Sequence, residues 1–358
     1  MDWRFATDSL DHWNRISGIA HPTSAATIEV VRGALDQKRA DDLLSFWRAR
    51  RALSGQEAQR RLPQVVCVLR HDGAVVGASS VYETNLALIG NRRFWIYRTL
   101  LDRAVADQGT NMVRATFTAL QDEFGGSSEA PIGLCLLLSP EERRLRSAEA
   151  VWPDPRMIYA GYVDDGRQVR LAYFENALIA TPSPGGRASG GYGPAVGSGY
   201  RIEPFTEQER VTGEDVVAFW IQEGALAALE AQRRLAEILL VARDRAGRPA
   251  GVSTTVLRRI DQLRADLWYT RVFVGAAHRR SHLAIGLALG ARDRLARRFA
   301  SGADRRAIGI IFEIESEILK RFFPQAIWPR TQFAFIGETS TGSHVRVFYF
   351  PGVRAPQH

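Results

Sequence analysis

The hexapeptide EAQRRL occurs twice in this chain, at Glu57–Leu62 and at Glu230–Leu235. Each occurrence follows a Phe-Trp pair and an Ala-Leu pair in the same order, and the two lie 173 positions apart (57 to 230). The same offset relates Trp95 to Trp268. Self-similarity at a fixed spacing is the sequence signature of a repeated structural unit. These landmarks therefore predict that one unit is present twice.

The repeat extends well beyond the hexapeptide. APIGLCLLLS (130–139) matches RAIGIIFEIE (306–315), and QVRLAYF (168–174) matches HVRVFYF (344–350), both at an offset of 176. Landmarks in one order over about 145 residues are too far apart for a solenoid repeat. They predict two homologous domains.

We predict a first domain at 28–180 (the first copy), a linker at 181–199 and a second domain at 200–358 (the second copy). The linker reads TPSPGGRASGGYGPAVGSG. Its Gly, Pro and Ser residues bury too little apolar surface to pack, so we expect it to be flexible. Residues 1–27 have no counterpart in the second copy and are expected to form a short N-terminal extension packed on the first domain.

Composition allows several classes of partner. The chain has 358 residues, of which 46% are hydrophobic and 24% charged, as in globular proteins. There is no apolar run of the roughly 20 residues that a membrane span needs, and the N-terminus has no signal-peptide layout, so we expect a cytoplasmic protein without membrane association. The net charge of +8 permits an anionic partner, but the arginines are scattered.

The cysteines are predicted to be structural, and the sequence does not predict a metal site. Cys67 and Cys135 both lie in apolar runs and are predicted to be buried thiols. No spacing of His, Cys and carboxylates suggests a metal site.

Hydrophobic periodicity and turn residues predict the order β-α-α-β-β-β-α-β-α-β-β in the second copy. Its hairpin joins ILLVARD to PAGVSTTVL, its next strand is LWYTRVFV, and its long helix is AIGLALGARDRLARRF. The first copy repeats this order. The predicted fold class is therefore α/β (α+β), with two tandem domains, each a mixed, mainly antiparallel sheet flanked by helices.

This order resembles the GNAT (GCN5-related N-acetyltransferase) superfamily, and its duplication resembles tandem double-GNAT proteins, over about 28–175 and 200–351. In that family the fourth strand leads into a loop of pattern Arg/Gln-x-x-Gly-x-Gly/Ala that opens the long helix. Backbone N–H groups at the helix start face the pyrophosphate of acetyl-CoA. The resemblance implies an N-acyltransferase that uses acetyl-CoA or another acyl-CoA.

In the second copy, Arg279 and Ala284 occupy the outer positions of this motif, while His282 stands where the family has glycine. Glycine lets the backbone approach phosphate without steric cost, so either His282 points away or the donor sits differently. The cofactor-binding residues implied by the resemblance are Phe273, Val274, Arg279, Arg280, Ser281, His282, Leu283 and Ala284.

The first copy has lost most of this motif. Ala106 replaces the leading arginine, Asp107 would repel phosphate, and Gly109 alone is kept at the middle position. We therefore expect the second copy to bind the cofactor and the first to have a structural or substrate-shaping role.

Acyl transfer to an amine needs a base, and the stretch FEIESE supplies Glu313 and Glu315 at the end of the fifth strand. Strand alternation would put both on one face and raise at least one pKa. The alternative is that Ser316 and Glu317 simply start a helix. The tyrosine that GNAT enzymes use as an acid after this strand is absent. Tyr269 is the candidate we carry forward, and Ser253, Thr254 and Tyr349 are weaker substitutes.

Arginines shared by both copies on apolar strands (Arg98 with Arg271, Arg170 with Arg346) are predicted to form structural ion pairs, since an unpaired buried charge is costly.

Three functions stay open at this point. The first is an acyl-CoA-dependent transferase acting on an amine of a small molecule or peptide. The second is a Fem-like transferase using aminoacyl-tRNA, or one using an acyl carrier protein. The third is an inactive tandem binding module. The sequence does not identify the acceptor or the oligomeric state.

Overall fold

A computed structural model describes residues 26–127, 129–144, 146–182, 199–206, 210–279 and 281–357. The predicted N-terminal extension and most of the predicted linker lie outside these ranges.

The first copy contains twelve α-helices and β-strands among its described residues. In chain order they are β1 (Thr27–Val30), α1 (Gln37–Ala49), α2 (Gly55–Arg61), β2 (Val65–His71), β3 (Ala74–Leu86), β4 (Arg92–Leu101), α3 (Gly109–Phe124), β5 (Gly133–Leu138), α4 (Pro140–Arg144), β6 (Val151–Pro153), β7 (Arg156–Tyr162) and β8 (Gln168–Tyr173).

The second copy repeats this order without a counterpart to the short strand β6 among its described residues. Its elements are β9 (Arg201–Pro204), α5 (Gly213–Gln222), α6 (Ala228–Arg234), β10 (Ile238–Arg243), β11 (Pro249–Ile260), β12 (Ala265–Val274), α7 (Leu283–Ala300), β13 (Gly309–Ile314), α8 (Glu317–Phe322), β14 (Ala334–Glu338) and β15 (His344–Tyr349). The predicted element order is confirmed.

The strands form two mixed sheets flanked by helices. One has eight strands in the order β1-β2-β3-β4-β5-β8-β7-β6, and the other has seven in the order β14-β15-β13-β12-β11-β10-β9. Each contains a parallel pair, β4 with β5 and β12 with β13, within a mainly antiparallel arrangement. The predicted fold class is confirmed, and it is consistent with two GNAT-like domains.

The two copies agree in register as well as in order. In the parallel pair of the first sheet Trp95 is opposite Leu134, and in the second sheet Trp268 is opposite Ile310. These are the positions that the sequence repeat aligns. A repeat read from identities therefore extends to individual cross-strand neighbours.

By internal contacts the chain divides into two compact units, one of residues up to Ser80 with Thr99–Met112, and one of Val81–Arg98 with Val113 onward. In the first unit, α1 and α2 pack on β2 and β3 through one apolar core, which also includes Val31 after β1. In the second unit, one core joins β7 and β8 of the eight-stranded sheet to β14 and β15 of the seven-stranded sheet.

The EAQRRL helices α2 and α6 share a packing pattern. The alanine of each hexapeptide is buried. On the outer side, Glu57 pairs with Arg61 at 3.1 Å and Glu230 pairs with Arg234 at 2.6 Å, each four residues apart. The identity between the copies therefore records the way this helix packs.

Inside the second unit, two reciprocal hydrogen bonds join β8 to β14 and β15 to β7. The Tyr173 hydroxyl donates to the carbonyl oxygen of Phe335 at 2.6 Å, and the Tyr349 hydroxyl donates to that of Tyr159 at 2.9 Å. Tyr173 aligns with Tyr349, and Tyr159 aligns with Phe335, at the offset of 176. Aligned donors thus reach aligned acceptors, which is the relation found in a two-fold symmetric interface.

Two glycines permit a further close approach, of β7 to Gln262 after β11 and of β14 to Leu88 after β3. Gly161 and Gly337 follow register shifts in β7 and β14, with φ of +116° and +143°. A Cβ at Gly337 would lie 2.7 Å from the carbonyl oxygen of Leu88, and one at Gly161 would collide with that of Gln262. Here glycine meets both a backbone conformation and a packing distance that a side chain would not tolerate.

The buried Arg170 and Arg346 occupy equivalent sites, with 1% and 0% exposure. Arg170 donates to the carbonyl oxygen of Glu149 at 2.7 Å, and its guanidinium lies 4.2 Å from the centroid of the Trp152 ring. Arg346 likewise donates to the carbonyl oxygen of Gln325 at 2.8 Å, with its guanidinium 4.2 Å from the centroid of the Trp328 ring. The structural role is as predicted, but these contacts are carbonyl and cation–π interactions. An ion pair of the predicted kind joins Arg271 to Glu237 at 3.1 Å.

We expect Gly161→Ala to lower the free energy of unfolding by at least about 2 kcal/mol more than Gly166→Ala, measured by urea denaturation. Both glycines have positive φ, so both variants acquire backbone strain. Only Gly161 also faces a backbone oxygen, whereas no atom lies within 4 Å of a Cβ at Gly166. Equal losses would show that the close approach at Gly161 contributes nothing.

Candidate functional site

A cleft opens where the parallel pair β12 and β13 separates. The register joins Trp268 to Ile310 and Tyr269 to Ile311, after which β12 runs on to Val274. Beyond Tyr269, β12 keeps its ladder to β11 on its other side. The edges of β12 and β13 that face each other therefore carry N–H and C=O groups with no partner in the described sheet register. Such groups are ready to pair with an extended ligand.

The cleft has a volume of about 340 Å³. One wall is β12 and the start of α7, and the other is the end of β13 with α8 and the loop after it. The residues that line it are Tyr269, Thr270, Arg271, Val272, Ala284, Ile285, Ala288, Phe312, Glu313, Ile314, Glu315, Ser316, Leu319, Phe323, Trp328 and Thr331.

Two of the predicted catalytic residues meet in this cleft. The Tyr269 hydroxyl donates to Oε2 of Glu313 at 3.0 Å. Burial raises the pKa of Tyr269, and the hydrogen bond to Glu313 raises it further. At neutral pH the phenol therefore keeps its proton and directs it at the carboxylate.

Two arginines flank this pair: Arg258, which sequence reasoning missed, and Arg271, which it had assigned to a structural ion pair. Arg258 lies 3.5 Å from Oε1 of Glu313, and its guanidinium is 4.9 Å from the centroid of the Tyr269 ring. The guanidinium of Arg271 is 4.6 Å from the same centroid. Val256 is opposite Tyr269 in the hairpin, so strand alternation puts Arg258 on the face of Tyr269. The register of the hairpin was the signal that could have found it.

Glu315 also lines the cleft but is not held like Glu313. Strand β13 ends at Ile314, so alternation does not fix the direction of Glu315, which is exposed. Ser316 caps α8 by accepting from the Leu319 N–H at 3.3 Å, and Glu317 begins that helix. The helix start expected from the sequence is present, next to Glu313.

The loop between β12 and α7 ends in a left-handed turn at His282. His282 has φ +59° and ψ 13°, in the left-handed region, and α7 starts at Leu283. Histidine enters this region more readily than most residues that carry a side chain. In the first copy, Gly109 has φ −55° and already lies in a right-handed conformation. The left-handed turn is thus present at His282 and absent at Gly109.

The charged part of the predicted cofactor loop is open to solvent. Arg279 is exposed, and its Nε donates to the carbonyl oxygen of Val274 at 3.4 Å. The Ser281 hydroxyl donates to the carbonyl oxygen of His278 at 2.6 Å. Arg280 lies outside the described residues.

The remaining predicted cofactor residues divide between core and cleft. Val274 and Leu283 are buried in the core of the second unit. Phe273 packs edge-on against Phe219, with ring centroids 5.6 Å apart, and lines a separate pocket beside α5 and α6. Ala284 lines the cleft itself.

The weaker acid candidates lie elsewhere. Tyr349 is buried in the contact with Tyr159, Ser253 and Thr254 are buried within β11, and none of the three lines the cleft. Tyr269 is therefore the hydroxyl-bearing candidate in contact with Glu313.

Other site types find no support in the described ranges. They contain no group of three or more His, Cys, Asp and Glu side chains arranged for a metal ion. None of the helices in the described part of the chain combines the length and apolar character needed to cross a membrane. Cys67 and Cys135 are both buried, and burial raises the pKa of the Cys135 thiol.

No family model matches the sequence, and no curated protein matches it. Solved structures do show likeness. A GNAT-family acetyltransferase from Streptococcus pneumoniae has 13% identity and a TM-score of 0.31, covering 42% of this chain and 99% of that one. The ribosomal L7/L12 alpha-N-protein acetyltransferase RimL has 10% identity and a TM-score of 0.30, covering 44% and 96%.

A third structure, Arabidopsis thaliana NAA60 in complex with acetyl-CoA, has 13% identity and a TM-score of 0.30, covering 42% of this chain and 99% of that one. All three likenesses are weak, and each covers less than half of this chain. The activity of the chain has to be argued from its own cleft.

We expect His282→Gly to raise the free energy of unfolding by about 1 kcal/mol, because glycine adopts the left-handed turn without the steric cost of a Cβ. His282→Ala, which keeps the Cβ, should bring no such gain. Urea denaturation of the two variants and the parent protein measures this. A His282→Ala variant as stable as His282→Gly would mean that the turn is not strained.

Proposed function

We propose that this chain is an acyl-CoA-dependent N-acyltransferase and that its second copy binds the acyl donor. The observation that carries this proposal is the separation of the parallel strands β12 and β13 beside the start of α7. It supplies an extended slot with open backbone edges, and it brings Tyr269 and Glu313 together at the inner end of that slot.

The slot suits a donor made of an amide-containing chain attached to phosphates. Open strand edges can hydrogen-bond amide groups along an extended chain. The start of α7 carries the partial positive charge of a helix N-terminus, and the exposed Arg279 adds a full charge nearby. The left-handed turn at His282 leaves the N–H groups of Leu283 and Ala284 at the helix start for the phosphates.

The pair in the cleft suits the proton transfers of aminolysis. Glu313 would take a proton from the acceptor ammonium, after which the amine attacks the thioester carbonyl and a C–N bond forms. When the C–S bond breaks, the thiolate takes the proton of Tyr269, and Glu313 returns a proton to Tyr269 through their hydrogen bond. The second amine proton passes to water.

We infer that the chain arose by tandem duplication, with domains at 28–180 and 200–358, and that the first copy does not bind the donor. The matched registers of the two sheets support the duplication. In the first copy, Asp102 at the start of the equivalent loop is ion-paired with Arg50. Gly109 does not form the left-handed turn.

We expect about one CoA or acetyl-CoA to bind per chain in a calorimetric titration, and Arg279→Glu to weaken binding at least tenfold, because it reverses a charge expected to meet phosphate. The matched control is Ala106→Glu, at the aligned and exposed position of the first copy, which should change nothing.

An effect of Ala106→Glu equal to that of Arg279→Glu would overturn the assignment to the second copy. No binding of CoA, with retention of aminoacyl-tRNA or acyl carrier protein, would replace the donor in this proposal. The acceptor is sought as an amine of a small molecule or peptide.

For an acceptor found in an amine panel, we expect Glu313→Gln to lower kcat about 100-fold or more while leaving CoA affinity unchanged, because general-base catalysis contributes 10²–10⁴-fold. Glu315→Gln is the matched control, since Glu315 lines the same cleft without contacting Tyr269. If the two variants lost activity equally, the catalytic role would not belong to Glu313. Binding of CoA with no turnover on any amine would favour a binding module.

A further inference from the structure

The lining of the cleft is not confined to β12 and β13 but includes α7 and the loop after α8. It continues past β13 into a side compartment, which we define by the residues Ala288, Phe312, Phe323, Trp328 and Thr331. The carbonyl oxygen of Thr331 accepts from Nη1 of Arg292 at 2.9 Å, which fixes the compartment wall to α7. The compartment is therefore built into the fold.

The polar side chain in this apolar compartment is Thr331. The residue is 2% exposed, and among the described residues its hydroxyl has no hydrogen-bond partner. A buried hydroxyl without a partner is destabilising, and native proteins rarely retain one without a reason. In this rotamer the hydroxyl oxygen has almost no accessible surface, and a change of χ1 would bring it to the cleft, where a ligand can supply the missing hydrogen bond.

Thr270 shows that a satisfied threonine occurs in the same cleft. It is also 2% exposed, but its hydroxyl lies 3.3 Å from that of Thr255 and 3.3 Å from the carbonyl oxygen of Trp268. Of these two cleft threonines, Thr331 in the side compartment is the one whose hydroxyl has no partner among the described residues.

The size of the compartment bears on the acyl group. Where α7 faces the cleft, Ala284 and Ala288 present a single methyl group each, which leaves room that larger side chains would fill. An acetyl group adds one methyl beyond the carbonyl and would leave this apolar space empty. A longer acyl chain would bury its methylenes there.

We propose, on the basis of the function proposed above, that the side compartment selects an acyl group longer than acetyl that carries a hydroxyl or oxo oxygen for Thr331. A change of Thr331 between staggered χ1 rotamers exchanges its methyl and hydroxyl positions and turns the hydroxyl toward the ligand. Thr331 is then a specificity residue, and Phe312, Phe323 and Trp328 supply apolar contact.

The test compares three donors by calorimetry with the full chain: acetyl-CoA, butyryl-CoA and 3-hydroxybutyryl-CoA. Each buried methylene is worth about fourfold in affinity, so butyryl-CoA should bind up to about fifteenfold more tightly than acetyl-CoA. The hydroxyl should add about fivefold more.

Thr331→Val removes the hydroxyl and keeps the volume. We expect it to abolish the preference for 3-hydroxybutyryl-CoA over butyryl-CoA while keeping that for butyryl-CoA over acetyl-CoA. Without ligand it should raise Tm by about 2 °C, because an unpartnered buried hydroxyl is gone. Thr270→Val, the matched control, should lower Tm and leave the preference intact.

Equal affinity for all three donors would overturn the inference while leaving the proposed function standing. So would a Thr331→Val variant that weakens acetyl-CoA and 3-hydroxybutyryl-CoA equally, since the hydroxyl would then contact the CoA arm. Failure of every CoA compound to bind the parent protein would overturn both. A lower Tm for Thr331→Val would show that the hydroxyl is already satisfied by the protein.

Discussion

Every backbone N–H and C=O in a sheet needs a partner, and the cleft exists because two strands stop meeting that need for each other. The parallel ladder between β12 and β13 ends at Tyr269 and Ile311, while both strands remain anchored by their outer neighbours. The open edges are therefore rigid, which spares a ligand the entropy of ordering them. The Tyr269–Glu313 hydrogen bond lies at the point of separation. The proposed chemistry and the proposed donor binding thus depend on the same separation of β12 from β13.

The two copies are similar in some parts of the fold and different in others. They agree where the sheet must be built, as in the register of Trp95 and Trp268 and in the ion pairs of the EAQRRL helices. They differ in the loop before the long helix, where a right-handed glycine in one copy stands against a left-handed histidine in the other. Packing is shared by both copies, whereas the loop proposed to meet the acyl donor is not.

Sequence reasoning reached the features that depend on local pattern. Element order, the hairpin from β10 to β11 and the capping of α8 by Ser316 follow from periodicity and turn chemistry. It did not predict the left-handed backbone of His282. A left-handed turn normally indicates glycine, and here the surrounding structure imposes it on a residue with a side chain. It also missed Arg258 and Thr331, whose surroundings come from other strands and loops.

The reciprocal tyrosine bonds have a consequence for how the chain could diverge. An interface of this form usually joins two identical subunits, so any change in sequence appears on both sides of the symmetry axis at once. Here both sides belong to one polypeptide, with Tyr173 and Tyr349 encoded separately. Covalent linkage also makes the association independent of protein concentration. Under the duplication proposed above, one side was free to change the loop before its long helix while its partner kept a different one, an asymmetry closed to a homodimer.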